Sequence, residues 1–302
     1  MAGAGRWWSE RALDALIQFL SSGFTEGSRY ALAALGFTLI YNASGAINFA
    51  QGESIMLGGM VTAVLSALGV PLLPAIAVAI VVALAVNLVL LGLFSRVLAR
   101  SGVLEVIILT VAFGIVLRGL AHVLWGTQTR SLPAFSGSEP LRLLGATILP
   151  QALWVIGLTA LALFALGWFF RKSRTGRGFV AASLDASTAR LMGIDVRAVL
   201  MLAFGLSAVL GALGGIVTAP ITYTYYDVGV MVGLKAIIAA IIGGMGSPVG
   251  AVVGGFAIGL AEALTAGYVS SAYKDAVPFM MIVLLFLVRP NGLFGKARVE
   301  RV

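Results

Sequence analysis

Apolar runs long enough to cross a bilayer recur along this chain from end to end, and they constrain its fold more than any other feature. Residues 72–94 read LLPAIAVAIVVALAVNLVLLGLF without one charged side chain. A hydrocarbon core about 30 Å thick needs about 20 such residues wound as a helix, whereas barrel strands would be alternating segments of about 10, a pattern absent here. The fold class is therefore all-α, a polytopic transmembrane helical bundle. With 60% hydrophobic and 11% charged residues and a mean hydropathy of +1.04, the chain lies far from the soluble average of about 45–50% apolar and 25% charged.

Predicted spans fall at 30–46, 54–69, 72–94, 103–125, 148–170, 198–219, 234–245, 249–268 and 276–288. That makes about 8–9 crossings within a single transmembrane domain over 1–302, the short 234–245 segment being broken or re-entrant. Residues 1–27 form an amphipathic segment, with Trp8, Ala12, Leu16 and Phe19 on one helical face and Glu10, Asp14 and Gln18 on the other. Such a helix lies in the membrane interface or packs on the bundle. Its charges interrupt the apolar run that a secretory signal would require.

The one long polar island in the second half is 171–197, which holds Arg171, Lys172, Arg174, Arg177, Arg190 and Arg197. Basic loops favour the cytoplasm, so this one is placed inside. Counting outward puts 126–147 outside, 95–102 with Arg96 and Arg100 inside, and the C-terminus with Arg289, Lys296, Arg298 and Arg301 in the cytoplasm. Within the island, Phe179, Ala182, Ala186 and Ala189 recur at helical spacing, and Gly193 suits a helix stop, which predicts a short helix over 178–193. Composition alone is satisfied by a loop that only fixes orientation. A surface helix between two spans can also dock a soluble partner.

Two stretches break the apolar pattern. In YNASGAINFAQGESIMLGG the side chains of Asn42, Asn48, Gln51 and Glu53 interrupt it; in AAIIGGMGSPVGAVVGG a span is cut by Gly243, Gly244, Gly246, Ser247 and Pro248. Irregular backbone at membrane depth is tolerated where protein or a water-filled cavity satisfies it, and paired interruptions in two halves point to a transport route. Tight helix hairpins at the membrane surface would leave the same mark.

Chemistry is sparse. The chain has no cysteine and one histidine, His122, so thiolate and His-cluster metal sites are absent from its sequence. No phosphate-binding G-x-x-x-x-G-K-[ST] motif occurs, and no acid–base constellation can be assembled. The net charge of +8 sits in loops and ends, where it reports orientation and anionic lipid rather than nucleic acid. The ionisable residues within or beside spans are Arg29, Glu53, Glu105, Arg118, Lys235 and Glu262, each a functional candidate because its burial needs a partner or water.

From about Gly27 onward these residues resemble the shorter permease subunit of branched-chain amino-acid ABC importers. The resemblance is carried in order by Gly36-Phe37-Thr38-Leu39-Ile40-Tyr41, Ile47-Asn48-Phe49-Ala50-Gln51-Gly52-Glu53, and Arg174-Thr175-Gly176-Arg177. It continues through Leu191-Met192-Gly193-Ile194, Gly243-Gly244-Met245-Gly246-Ser247, Glu262-Ala263-Leu264 and Arg289-Pro290-Asn291-Gly292-Leu293-Phe294-Gly295. It implies a non-catalytic permease of the bacterial inner membrane, without a cofactor of its own. The implied partners are a second related permease, two ATP-binding-cassette subunits that use ATP and Mg, and an extracytoplasmic substrate-binding protein.

The loop 171–197 then becomes a coupling helix, with Arg174, Gly176, Ala182, Asp185, Ala189, Gly193 and Ile194 as the residues expected at the ATPase groove. The translocation route is expected between the two breaks, through Asn48, Gln51, Glu53, Gly243, Gly244, Ser247 and Glu262. Two departures bear on the solute: Gln51 stands where the family commonly has histidine, and the loop after Phe94 lacks an Arg-Pro-rich extension. Relatives carry urea, short amides or aromatic acids, so these residues do not fix the substrate. A different class, an ion-coupled secondary carrier or channel using Glu53 and Glu262, remains the alternative.

Overall fold

The computed structural model describes residues 2–137, 139–143 and 146–295, and the side chains of these except at 2–13, 142, 143 and 146. Lys296, Arg298 and Arg301, counted above toward an internal C-terminus, lie outside the described residues, as do the side chains of Trp8, Glu10, Arg11 and Ala12. The helices are α1 (Ala2–Ser44), α2 (Gln51–Ala67), α3 (Leu72–Arg100), α4 (Val103–Trp125), α5 (Pro150–Lys172), α6 (Arg174–Leu184) and α7 (Ala186–Leu191). There follow α8 (Val196–Thr222), α9 (Val228–Gly243), α10 (Pro248–Tyr268), a 3-10 turn η1 (Ser271–Ala276) and α11 (Val277–Val288). A short antiparallel hairpin, β1 (Leu141–Leu143) and β2 (Ala146–Ile148), sits in the loop before α5 and leaves the all-α class unchanged.

Among the described residues, six segments are long and apolar enough to cross a membrane: α3, α4, α5, α8, α10 and the run Ser271–Val288. Helix α9 is shorter. Helix α2 is buried from Gln51 through Ala63, and α1 is buried from Tyr30 through Ile40, so these two fill the centre of the bundle. In lipid, helices associate by close packing rather than by hiding apolar surface from water, and small residues permit that closeness. Gly27 and Ala31 of α1 meet Gly255 and Gly259 of α10 so tightly that a Cβ on Gly259 would stand 2.3 Å from the Gly27 nitrogen. Helix α8 uses Gly211 and Gly215 against Ser54 and Ile55 of α2 in the same way. Outside this core, α4 and α11 display exposed Ile108, Ile115, Val116, Val283, Leu284 and Leu287, a surface suited to lipid or to another subunit.

Three details depart from the pattern read in the sequence. The amphipathic segment is not a separate helix but is continuous with the first span in α1, and Phe19 packs edge-on against Tyr268 with ring centroids 5.2 Å apart, so this part of α1 lies on the bundle. The short span begins at Val228 rather than at residue 234, because Gly229 and Gly233 are helical contact positions. The helix expected over 178–193 starts earlier, at Arg174, and breaks at Asp185, whose carboxylate accepts the Ser187 and Thr188 N–H groups and caps a second short helix.

Candidate functional site

The first break forms a junction of α1, α2 and α8. Asn48 Oδ1 accepts the Ala50 N–H at 3.0 Å, which turns the chain into α2. Gln51, fully buried, donates from Nε2 to the Ser207 carbonyl at 2.9 Å while the Ser207 hydroxyl donates back to its Oε1. Its polar atoms are thereby consumed inside the protein, and Gly36 leaves room for the amide. Glu53 points elsewhere, toward α4 and α9. Its Oε1 lies 3.3 Å from Arg118 Nε, and its Oε2 is buried with no partner among the described residues. Arg118 Nε also donates to the Gly114 carbonyl at 3.2 Å. The pair borders a cavity of about 180 Å³ whose other wall is the Gly229, Gly233, Leu234 and Ile237 face of α9.

The opposite face of α9 carries a different arrangement. Lys235 Nζ donates to Asp275 Oδ1 at 2.7 Å and to the Tyr30 hydroxyl at 3.3 Å, and forms an ion pair with Glu262 Oε1 at 2.7 Å. Tyr30 in turn donates to Glu262 Oε2 at 2.8 Å. Next to Tyr30 on α1, Arg29 binds Glu26 at 2.6 Å and the Thr222 hydroxyl at 3.2 Å. These groups, with Val228, Met231 and Val232 of α9, surround a cavity of about 500 Å³. Positions 230, 233, 234 and 237 therefore border one cavity and 228, 231, 232 and 235 the other, as helical periodicity requires. Helix α9 is the septum between them.

The second break touches the first through Asn42. It is the turn joining α9 to α10, with Gly244 and Gly246 at positive φ of 101° and 93°. Ser247 caps α10 through the Gly250 N–H at 3.1 Å, and Asn42 Nδ2 donates to the Gly246 carbonyl at 2.9 Å. The segment after α11 closes over the turn, since Leu293 and Phe294 donate to the Ile242 and Gly243 carbonyls, both at 2.9 Å. A Cβ on Gly244 would sit 2.3 Å from the Gly295 nitrogen, so the turn accepts no side chain there. Glu262 lies near the far end of α10, beside Lys235, and Glu53 lies across α9 from it.

In the basic loop, Gly176, Ala182 and Ala189 are buried and Ile194 half-buried, with Ala182 and Ala189 packed alongside Phe179 and Val199 within this chain. Arg174, Asp185 and Gly193 are exposed, and Gly193 adopts a positive φ of 82° after α7. The hydroxyls of Ser187 and Thr188, with their N–H groups, hold the Asp185 carboxyl well below the usual carboxylate range. A depressed value of this kind adds stability above the unfolded value of about 4 and loses it as pH falls through the folded one. The cap is therefore ionised throughout the neutral range. What the loop presents outward is Leu184, 81% exposed, Leu191, 88%, and Met192, 79%. Leu184 carried no signal in the motif pattern, and only its place after the buried Phe179 and Ala182 on one helix, with the helix ending at Asp185, could have marked it. Tyr30 was equally silent, because a tyrosine is not unusual where it stands in sequence.

The family described as "Branched-chain amino acid transport system / permease component" matches residues 19–286. Over 307 residues the chain is 36% identical to the high-affinity branched-chain amino acid transport system permease protein LivH of Escherichia coli K12, covering 95% of this chain and 97% of that protein. The Salmonella typhimurium LivH protein is 35% identical over 306 residues, with the same coverage. The high-affinity branched-chain amino acid transport system permease protein BraD of Pseudomonas aeruginosa is 32% identical over 303 residues, covering 95% of this chain and 98% of that protein.

Proposed function

Since this chain belongs to the family of permease components of branched-chain amino acid transport systems, we propose that it is the membrane subunit of an ATP-driven importer for branched-chain or related amino acids, lining their route across the inner membrane. In this reading it hydrolyses nothing and holds no cofactor. ATP and Mg act in two separate ATPase subunits, a second related permease completes the route, and an extracytoplasmic binding protein delivers the solute. Both the loop 173–195 and the C-terminus face the cytoplasm.

The observation that carries the reading is the set of exposed apolar side chains Leu184, Leu191 and Met192 on a loop otherwise edged by Arg171, Lys172, Arg174, Arg177, Arg190 and Arg197. So many charges keep the loop out of the hydrocarbon, so lipid cannot cover those side chains. A groove on a soluble partner can. Coupling passes from them through Asp185 and Gly193 to Gly176, Ala182, Ala189 and Ile194, which seat the loop on the ends of α5 and α8. The route follows α9, with Asn48, Gln51 and Glu53 beside its first half, Glu262 on its opposite face and the turn of Gly243, Gly244 and Ser247 at its other end.

The assembled complex should take up L-leucine only with ATP and with both ATPase subunits present. Leu191→Glu should abolish substrate-stimulated ATP hydrolysis while the permease still inserts and pairs, because a charge would enter an apolar groove. Normal stimulation in Leu191→Glu, or leucine accumulation by this chain alone under an ion gradient, would overturn the reading.

A further inference from the structure

The cavity of about 500 Å³ lies at the end of α8 marked by Thr222, remote from the basic loop that precedes Val196. Its size falls within the usual range of small-molecule sites, about 300–1,000 Å³. Acids and bases balance on its wall: Glu26, Glu262 and Asp275 against Arg29, Lys235 and Lys274. Beside them stand Val228, Met231, Val232 and Ala266. We propose that this cavity is a binding site for a zwitterionic aliphatic α-amino acid, the point at which solute enters the permease; the assignment rests on the importer reading above.

A balanced wall with separated poles disfavours a lone anion or cation, since either would face as many like charges as opposite ones. A ligand with its own adjacent opposite charges meets no such conflict. The two kinds of charge in the cavity also differ in how far they are used. Lys235 is already engaged by Glu262, Asp275 and Tyr30, and forms the floor. At the rim, Lys274 makes no ion pair among the described residues, and Asp275, half-exposed, engages Lys235 through Oδ1 alone. These consecutive residues of η1 both line the cavity, and bring to it one ammonium outside any ion pair and one carboxylate oxygen not used by Lys235, a charge of each sign for an α-amino acid's carboxylate and ammonium. The aliphatic side chain then has the Val228, Val232 and Ala266 wall to rest on. A zwitterionic phospholipid headgroup shares the charged part of this chemistry, so the test must separate the two sources.

The chain has no cysteine, so a single Ala266→Cys reports the cavity directly. The assembled complex is placed in nanodiscs of phosphatidylglycerol alone, which offer no zwitterionic headgroup, and treated with a membrane-impermeant methanethiosulfonate. L-Leucine at about ten times its Kd should slow modification about tenfold, because only the unoccupied fraction reacts. The analogue lacking the ammonium, 4-methylpentanoate, and the one lacking the carboxylate, isopentylamine, should not protect. Lys274→Gln should remove protection by leucine without changing the unprotected rate. Should Ala266→Cys fail to assemble, Ala263→Cys on the same wall replaces it. Equal rates with and without leucine, in a complex whose leucine uptake is intact, overturn the site and leave the importer reading standing. Modification slowed by phosphatidylethanolamine nanodiscs but not by leucine assigns the cavity to a headgroup and overturns the proposal. A complex that takes up no amino acid overturns the importer reading and this inference together.

Discussion

The two faces of α9 solve the problem of a charge inside a membrane protein in opposite ways. On one face Lys235 is held by two hydrogen bonds and a 2.7 Å ion pair, from groups on α1, α10 and η1. On the other, Glu53 has one partner at 3.3 Å and a buried oxygen with none among the described residues. The first arrangement locks four segments together; the second leaves an acid with unspent bonding capacity beside a small cavity. A network of several bonds resists rearrangement because moving any member strains the others in a low dielectric. An unsaturated pair has less to lose by moving. Substitution of the buried charge is thus expected to cost stability first on the Lys235 face, and transport more than stability on the Glu53 face.

Breaking the Lys235 face should give the largest effect. Lys235→Ala leaves the Glu262 carboxylate buried without its cation, a change that costs about 3–5 kcal/mol in comparable buried pairs. The variant is expected to lose monodispersity in detergent and to melt well below the parent chain. Replacing both members, as Lys235→Met with Glu262→Met, should recover most of the loss, since apolar side chains of similar volume often substitute for a buried pair. A double variant as unstable as the single one would mean that shape, not charge, holds α9 there.

The next effect concerns how closely α2 can approach the septum. A Cβ on Gly52 would stand 2.1 Å from the Gly229 carbonyl oxygen, a backbone atom that cannot rotate aside. Gly52→Ala should therefore force the helices apart, at the overpacking cost of about 1–3 kcal/mol. Gly114→Ala is the matched control, because its Cβ would come only within 3.3 Å of Glu53 Oε1, the end of a flexible side chain. Thermal midpoints should rank Gly52→Ala clearly below Gly114→Ala; equal midpoints would show that the α2–α9 contact is slack.

Much of this architecture is legible in the chain itself. The spans announce themselves because each needs a long apolar run, and the basic loop does so because Lys and Arg cluster there. Glu53, Arg118, Lys235 and Glu262 stand out because charge within such runs is rare. Pairing is not legible: nothing in local sequence ties Glu53 to Arg118 rather than to Lys235, since partners are chosen by helix packing across long separations. Orientation within the loop was hidden for a related reason. Ala189 recurs at helical spacing whichever way its helix faces, and only the position of Phe179 and Val199 turns it inward. The two glycine-rich breaks look alike in sequence, yet one is a buried junction and the other a turn closed by Leu293 and Phe294. What separates them is the segment after α11, some fifty residues away in the chain by rough count and so beyond any window of periodicity.

The smallest change in stability, and the sharpest test of the contrast, is expected from Glu53→Gln. The amide keeps the shape of the carboxylate and can still accept from Arg118, which is partly exposed and so retains some solvation of its own. Removing the charge relieves the desolvation of a buried acid and forfeits a single long contact, terms of opposite sign. The net shift in stability should stay within about 1 kcal/mol. Transport should respond out of proportion, because the acid borders the cavity between α4 and α9 that a moving solute or a moving helix would have to use. Uptake by the assembled complex, measured beside the melting temperature of the same preparation, separates the two quantities. If uptake is retained while stability falls, Glu53 is one more structural anchor and the two faces of α9 do not differ in kind. If uptake falls with the melting temperature unmoved, Glu53 serves transport rather than stability.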